Sequence, residues 1–248
     1  MGSVARALAA LDAIADSEAG LGVNELARRI GVNASTASRL LATLQESGVL
    51  ERTGAGPYRL GLKLVALSER VLAQLDVRQR ARPLLAALVA DTGETATLSV
   101  PGGGEAITVD FVPSPSSVVS MARVGRPSVP HATAAGKVML AFAGHGLGAS
   151  EAPTLTAFTE HTITDPAVLA QELEVVRERG YAEAVGEREP DLGALAAPVF
   201  GRDGELAAIL GIQGPASRLP AATRRTLRAP LLAAAAELSR ALGAPGPG

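Results

Sequence analysis

The feature that most restricts what this 248-residue chain can fold into lies near its start, where two short helical patterns, 24–30 and 33–45, are separated only by Gly31-Val32. Asn24 is placed to cap the first, Gly31 to supply the left-handed residue that commonly ends a helix, and Asn33 or Ser35 to cap the second. Within the second, Ala37, Leu40, Leu41 and Leu44 form one apolar stripe before Ser47-Gly48 stops it. Upstream, Val4, Leu8, Leu11 and Ile14 recur at helical spacing until Ser17-Glu18-Ala19-Gly20 breaks the pattern. Downstream, 49–52 and 58–60 flank Thr53-Gly54-Ala55-Gly56-Pro57 and read as two short strands joined by a flexible hairpin. Three helices and a hairpin in this order are the layout of a winged helix-turn-helix. Its second helix enters the DNA major groove, and its wing lies along a backbone or minor groove.

Opposite the apolar stripe, the candidate recognition helix carries Ser35, Thr36, Arg39 and Thr43, small hydroxyl residues and one arginine able to approach base edges or phosphates closely. Asn33 and Ser38 complete the candidate contact set on this helix. Arg28 and Arg29 before it, with Arg52 and Arg59 on the wing, are suited to phosphates. Charge alone does not support the reading, because residues 1–60 hold six arginines against six acids and net zero. It rests on layout, and a small helical domain with a solvated face is the plain alternative.

From residue 62 to about 80 the chain turns helical again. Leu60, Leu64, Leu67, Val71 and Leu75 form a stripe suited to a linker helix that pairs with a second copy of the chain. Pro83 is expected to open a new helix through Ala90, since proline is tolerated in a first turn and disruptive later. The expected organisation is therefore a DNA-binding domain at 1–61, a linker at 62–82, a ligand-binding domain at 83–242 and a disordered tail at 243–248. In the third segment, strands are expected at 95–100, 107–112, 117–124, 194–200 and 206–213, the last two around an Asp203-Gly204 turn. Helices are expected at 134–143, 166–179 and 223–242. Several strands lack the crossover that parallel pairing needs, so the class is α+β with an antiparallel sheet.

Enzyme signatures are weak by comparison. The chain has no cysteine, so it offers no disulfide, no thiolate metal site and no cysteine nucleophile, and His131, His145 and His161 are too scattered to spell a metal motif. No cofactor or metal is expected. Thr133-Ala134-Ala135-Gly136-Lys137 superficially suggests a phosphate loop, but His131 and Val138 stand where a Walker loop needs glycine and a hydroxyl. As helix-opening residues their amides can still receive an anion. Glu183, Glu187, Glu189 and Asp191 read as a solvated acidic loop, and no Gly-x-Ser-x-Gly elbow occurs. With 23 basic against 25 acidic residues, no uncharged apolar run of spanning length and no export signal, the expected location is the cytoplasm. The competing function is a metabolic enzyme or small-molecule-binding protein whose helical start serves only oligomerisation.

Taken in order, several segments resemble the IclR family of bacterial transcriptional regulators over almost the whole chain. They are Ser3-Val4-Ala5-Arg6-Ala7-Leu8, the run from Ser35 to Leu44, Tyr58-Arg59-Leu60-Gly61, the run from His131 to Lys137, Gly180-Tyr181-Ala182, and Ala196-Ala197-Pro198-Val199-Phe200 with Gly214-Pro215 beyond. The resemblance implies an N-terminal winged helix that binds a palindromic operator as a dimer or dimer of dimers. It also implies a C-terminal GAF-like domain whose small-molecule effector shifts operator affinity. Carried over by position, the effector pocket is lined by Met121, Ala134, Ala135, Gly136, Ala184, Leu192, Ala194, Gly211 and Gln213. Members that bind small organic acids tend to place Asp, Cys and Ser where this chain has Ala184, Ala194 and Gly211, and Asp191 replaces the family's usual glycine. On that set the pocket is short of polar groups. The resemblance then implies an effector larger and less polar than a small oxo-acid, with Gln213 and the backbone at Ala135-Gly136 fixing its polar end.

Overall fold

Gly31 takes up a left-handed backbone (φ +67°), and the chain reverses there between two helices as its sequence demands. The computed structural model describes residues 2–52, 54, 56–74, 76–118, 122–143 and 155–245, which fall into two compact units, Met1–Gln74 and Leu75–Gly248. The first unit contains α1 (Ser3–Ala15), α2 (Val23–Arg29), α3 (Ala34–Glu46), β1 (Leu50–Arg52), β2 (Tyr58–Leu60) and α4 (Lys63–Gln74). Its core gathers Ala10, Ile14, Leu21, Leu26, Leu41, Leu50 and Tyr58. The N-cap of α3 is Asn33, whose side-chain oxygen accepts the Thr36 amide at 2.8 Å, so Ser35 lies inside the helix. Asn24 is not a cap. An extended Gly22 starts α2 one residue sooner than expected and leaves Asn24 in its first turn. Only the C-terminal part of the expected α1 stripe is buried: Ile14 packs inward with Ala10, while Val4 and Leu8 stay 73% and 59% exposed.

The wing strands pair antiparallel from Leu50↔Leu60 to Arg52↔Tyr58, and Leu21 adds a bridge to Tyr58. Gly61 is required where the chain leaves the wing, because a Cβ there would meet the Gly48 carbonyl oxygen at 2.5 Å. Along and before α4, Leu60, Leu62, Val65, Leu67 and Val71 are all exposed.

The second unit is built on one six-stranded sheet in which every pairing is antiparallel, ordered β5-β4-β3-β8-β7-β6. Its strands are β3 (Thr95–Gly102), β4 (Glu105–Val112), β5 (Pro127–Ser128), β6 (Ala182–Val185), β7 (Leu192–Phe200) and β8 (Leu206–Pro215). The helices are α5 (Asp76–Thr92), α6 (Ala134–Phe142), α7 (Pro166–Arg179) and α8 (Ala221–Ala241). α5 packs on β3 and β4 and against α8, which covers β7 and β8, whereas α6 packs with α7 and on β7, β8, β6 and β4. α7 spans the expected residues, capped by Asp165 through the Ala167 amide at 2.8 Å and ended by a left-handed Gly180.

Four sequence expectations are corrected in this unit. Pro83 does not open α5 but sits inside it, since the turns before it are held by Arg80–Asp76 at 2.7 Å and by Arg78 and Arg82 on the buried Asp110 at 3.4 and 2.9 Å. The strand expected at 117–124 is absent among the described residues, of which 119–121 are not part. The sheet edge is instead β5, whose pairing with β4 follows a turn at a left-handed Gly125. β6 was not expected at all. In the tail, Gly243 (φ +87°) and the Ala244 amide on the Ser239 carbonyl at 3.0 Å close the end of α8, while residues 246–248 lie outside the described residues.

Gly136 lets α6 approach the preceding segment, because a Cβ there would stand 2.4 Å from the Val129 oxygen and 2.6 Å from the Pro130 Cα. Alanine is the better helix former by about 1 kcal/mol, but it has to displace backbone, and overpacking of that kind costs about 1–3 kcal/mol. Gly136→Ala is therefore expected to lower the midpoint of urea unfolding followed by circular dichroism. A raised midpoint would show that the contact relaxes freely.

Candidate nucleic-acid interface and ligand cavity

On α3, Ala37 and Leu41 are fully buried, which turns Ser35, Ser38, Arg39 and Thr43 to the surface, with Thr36 half-buried beside its cap and Asn33 exposed. Thr43 Oγ1 donates to its own helix at the Arg39 carbonyl, 3.0 Å away, and is the less available hydroxyl for that reason. Arg39 has no ion pair or hydrogen bond among the described residues. The arginines proposed for phosphates are not idle. Arg28 and Arg29 both hold Glu25, at 2.7 and 3.0 Å, and their hydrogen bonds keep the Glu25 carboxyl below its usual pKa, Arg28 contributing most. Glu25 thus stands among the candidate contact groups. On the wing, Arg52 donates to the Gly56 carbonyl at 2.8 Å and lies 4.8 Å over the Tyr58 ring, and Arg59 reaches the Ala19 carbonyl at 3.4 Å. The described residues of unit 1 therefore present a helix face with one unpaired arginine, flanked by arginines that are positioned but partnered.

In unit 2 a partly open cavity of about 90 Å³ lies between the start of α6 and the sheet. Of the carried-over residues, Ala134, Ala135, Ala184, Leu192, Ala194, Gly211 and Gln213 line it. Gly136 does not. Its amide is taken by the Thr133 hydroxyl at 3.0 Å, and its missing side chain serves the approach to Pro130. Met121 lies outside the described residues. The first-turn amides of Ala134 and Ala135 have no hydrogen-bond partner among the described residues and are the ones placed to receive an anion. Gly211 also has a different job from the one its position suggested. A Cβ there would stand 2.6 Å from Thr97 Oγ1, so the glycine makes room for a hydroxyl on the cavity wall rather than for a ligand.

The carried-over set left out the polar side of this cavity. Thr97, Ser99 and Thr108 supply hydroxyls from β3 and β4, and Arg123, Arg126, Ser128, Glu187, Arg188 and Glu189 supply polar and charged groups from the segments around it. The argument that an effector's charge would lack partners does not hold here. Arg126 pairs with Glu189 at 2.8 Å, while the one hydrogen bond of Arg188 among the described residues goes to the Pro127 carbonyl at 3.4 Å, with Glu189 and Glu105 near enough to act on its charge. Burial, with Arg126 adding repulsion, lowers the Arg188 pKa against the opposing pull of Glu189 and Glu105. In sequence these residues carried one visible signal, the alternation of Thr97 and Ser99 along a strand; the arginines sit in loops whose folding no periodicity reveals.

Of the acidic stretch, Glu189 and Asp191 are exposed as expected, but Glu183 and Glu187 are not part of a solvated loop. Lys137, 2% exposed, donates to Glu187 Oε1 at 2.7 Å and to the Glu183 carbonyl at 3.0 Å, with Glu172 at 3.8 Å. Glu183 is held by Arg224 and Arg228 at 2.7 and 3.0 Å; burial pushes its pKa up, and the two arginines together bring it below the usual value. For Glu187 burial wins and the pKa is raised: Lys137 opposes the rise and Glu172 adds to it. No cluster of metal-ligating residues occurs, and no helix is long and apolar enough to cross a membrane, among the described residues.

Comparison with known proteins follows the same division of the chain. Residues 3–54 match the IclR helix-turn-helix domain and residues 69–240 the family described as bacterial transcriptional regulator IclR C-terminal. The HTH-type transcriptional regulator XynR of Escherichia coli K12 is 34% identical over 98% of both chains. A crystal structure of an IclR regulator from Silicibacter sp. TM1040 superposes with a TM-score of 0.85 at 31% identity, covering 99% of this chain and 98% of that one. An IclR homologue from Microbacterium hydrocarbonoxydans, solved in complex with 4-hydroxybenzoate, superposes with a TM-score of 0.77 at 26% identity over 97% of this chain and all of that one (100%).

Replacing Lys137 by methionine keeps the length of the side chain and leaves Glu187 buried without its cation. Breaking a buried pair in this way is expected to cost about 3–5 kcal/mol at pH 8. The lone carboxyl then has a folded-state pKa still further above its unfolded value. Its contribution to stability is whole at low pH and lost as pH rises through the folded-state pKa. Urea unfolding of Lys137→Met should accordingly show a smaller deficit at pH 5 than at pH 8, and an equal deficit would show that Glu187 escapes to solvent in the variant.

Proposed function

The chain belongs to the IclR family of bacterial transcriptional regulators, and from that premise we propose that it binds a palindromic operator as a dimer or dimer of dimers and releases or tightens its hold when a small effector enters unit 2. As an IclR-type regulator it is no enzyme, and the alternative of a metabolic enzyme with a helical oligomerisation module is set aside on the relatives' common role. The observation that carries the DNA reading is α3, whose exposed face presents Arg39 unpaired, with Ser35 and Ser38 beside it. Thr36, Thr43 and Asn33 flank them, and Arg28, Arg52 and Arg59 serve the phosphates.

Dimerisation is supported by the α4 face of Leu64, Leu67 and Val71, of which Leu64 is half-buried and Leu67 and Val71 are exposed, because large apolar side chains aligned on one helix face are suited to covering by a second copy. The effector site is the cavity of unit 2. Ala134, Ala135, Ala184, Leu192 and Ala194 offer an apolar body of the site, the α6 amides and Arg188 its anion-binding end, and Gln213 and the β3 hydroxyls further polar contacts. Such a lining suits an effector with an acidic end and an apolar body, larger than a two- or three-carbon oxo-acid. The 4-hydroxybenzoate complex of the Microbacterium homologue shows a relative taking a molecule of that type. Effector binding acts by population shift, favouring one of two placements of paired DNA-binding units.

Fluorescence anisotropy with labelled duplex from the region upstream of its own gene, scrambled duplex as competitor and a salt series, tests the reading. Saturable binding that resists the competitor and weakens steeply with salt is the expected outcome. Arg39→Ala should weaken operator binding by about 1–3 kcal/mol if Arg39 reads a base. A loss equal on operator and scrambled duplex would reassign Arg39 to phosphate contact.

A further inference from the structure

An effector whose acid lies at the α6 amides and Arg188 leaves two cations of the same cavity, Arg123 and Arg126, without a ligand group. The three arginines line it against the acids Glu187 and Glu189, and Glu187 is committed to Lys137 at 2.7 Å. Among the described lining residues Glu189 alone is left to answer three guanidinium groups. Glu105, on β4 and outside the lining, acts on Arg188 without forming an ion pair, and Arg126 and Arg188 stand near enough to repel one another. Arg123 is exposed and has no ion pair or side-chain hydrogen bond among the described residues. The arginines thus exceed the acids beside them, and an incoming anion neutralises the excess.

The contacts at the rim show how a second acid is received. β5 and β6 are the two edges of the sheet. Arg126, next to β5, meets Glu189, in the segment after β6, at 2.8 Å, and Arg188 reaches the Pro127 carbonyl at 3.4 Å, so side chains join the two edges at the cavity. The side chains of Arg126 and Glu189 are 39% and 50% exposed. An ion pair this open to water contributes little to stability, and exchanging its carboxylate for another costs little. Glu189 therefore stands where a ligand's acid group fits. Resting on the reading of this cavity as the effector site, we propose that the effector carries a second acidic group, which Arg126 receives at the rim in place of Glu189. Arg123 belongs to the same turn, its carbonyl accepting the Arg126 amide at 3.3 Å, and adds its charge there. The ligand class is a diacid with an apolar body, one acid group at the start of α6 and the other at the rim. A neutral group at that end leaves Arg126 with Glu189 and gains nothing from the guanidinium, which pairs best with a carboxylate.

Isothermal titration of the full-length protein with phthalate, isophthalate and terephthalate, and with the monomethyl ester of each, tests this over a range of separations between the acid groups. Each ester keeps the apolar body and one acid and gives up the second charge. At least one diacid should bind about tenfold or more tightly than its ester, the ratio expected for a hydrogen bond between charged groups. Arg126→Gln should bring the two members of that pair to within about twofold, whereas Glu189→Gln, which takes the competing acid off Arg126, should raise their ratio about threefold. An ion pair that served structure alone would move both variants the same way. Thermal unfolding checks that the variants are folded, and the wild-type ratio stands as a test if they are not. Diacids no tighter than their esters on the wild type, a ratio that survives in folded Arg126→Gln, or a ratio lowered by Glu189→Gln overturns the second acid site and leaves the cavity as a site for one acid. No binding of any diacid or ester overturns both the second site and the reading of the cavity as a site for acids.

Discussion

Unit 2 is organised around one buried amine. Lys137 is carried by α6 into the protein, where an ammonium without partners would be prohibitive, and every partner it finds lies on a different piece of chain. Glu172 comes from α7, the Glu183 carbonyl from β6 and Glu187 from the segment beyond it. Satisfying Lys137 therefore seats β6 at the end of the sheet and holds residues 186–189 against the mouth of the cavity. The apolar packing of α6 and α7, through Val138, Met139, Leu169, Leu173 and Val176, supplies most of the driving force but is indifferent to register. The ion pairs are directional. A displacement of β6 relative to α6 would strand a charge, so the pair specifies the position that hydrophobic burial only permits.

Glycines make the same wall possible by letting backbone approach backbone. Gly136 brings α6 onto Val129 and Pro130, Gly211 admits the Thr97 hydroxyl, and Gly214 gives room to Glu94, whose carboxylate clasps Arg218 at 2.6 Å through both oxygens. Arg218 in turn holds Ser116 Oγ and the Val118 carbonyl at 3.2 and 2.9 Å, fixing the start of the segment that leads to Ala122, Arg123 and Arg126 at the cavity. The missing side chains at 136 and 211 thus do not enlarge the ligand space. They are spent on protein contacts that bring polar groups to its edge.

What was legible in the sequence is what local physics alone decides. Gly31, Asn33 and the Asp203-Gly204 turn mark their elements because a cap or a left-handed residue is a property of a few neighbouring atoms. The sequence placed α3 and α7 to within one residue and β3, β4, β7 and β8 to within two. Three of the failures share a cause as well. β6 is four residues long, and its Glu183 looks like loop polarity until Arg224 and Arg228, forty residues on in the chain, neutralise it. Pro83 reads as a helix start until Asp110 on β4 holds the turns before it. Lys137 reads as part of a failed phosphate loop at a helix start until Glu187 is beside it. These three misses are ion pairs formed across the fold, which periodicity does not encode; the strand expected at 117–124 and the Asn24 cap failed for local reasons instead. The resemblance located the cavity through its small residues, but its polar groups lie largely at other positions.

Electrostatics in unit 1 follow from the same attention to partners. A domain with as many acids as arginines in its first sixty residues lacks the long-range pull that binds duplex of any sequence, and Glu25 holds two of its arginines in a pre-arranged fork. When Arg28 meets a phosphate it has to share or exchange Glu25 for it, so the net gain from that contact is the difference of two charge-assisted bonds, not one whole bond. Affinity on the proposed reading must then come from contacts without such a trade, which leaves the unpaired Arg39 and the hydroxyls of α3, together with the pairing of two copies along α4. Weak attraction to arbitrary sequence is an advantage for a regulator, since the competing sites in a genome are bound by the nonspecific term alone. Charge neutrality, which counts against DNA binding when summed over the domain, becomes a device for discrimination once the partners of each arginine are known.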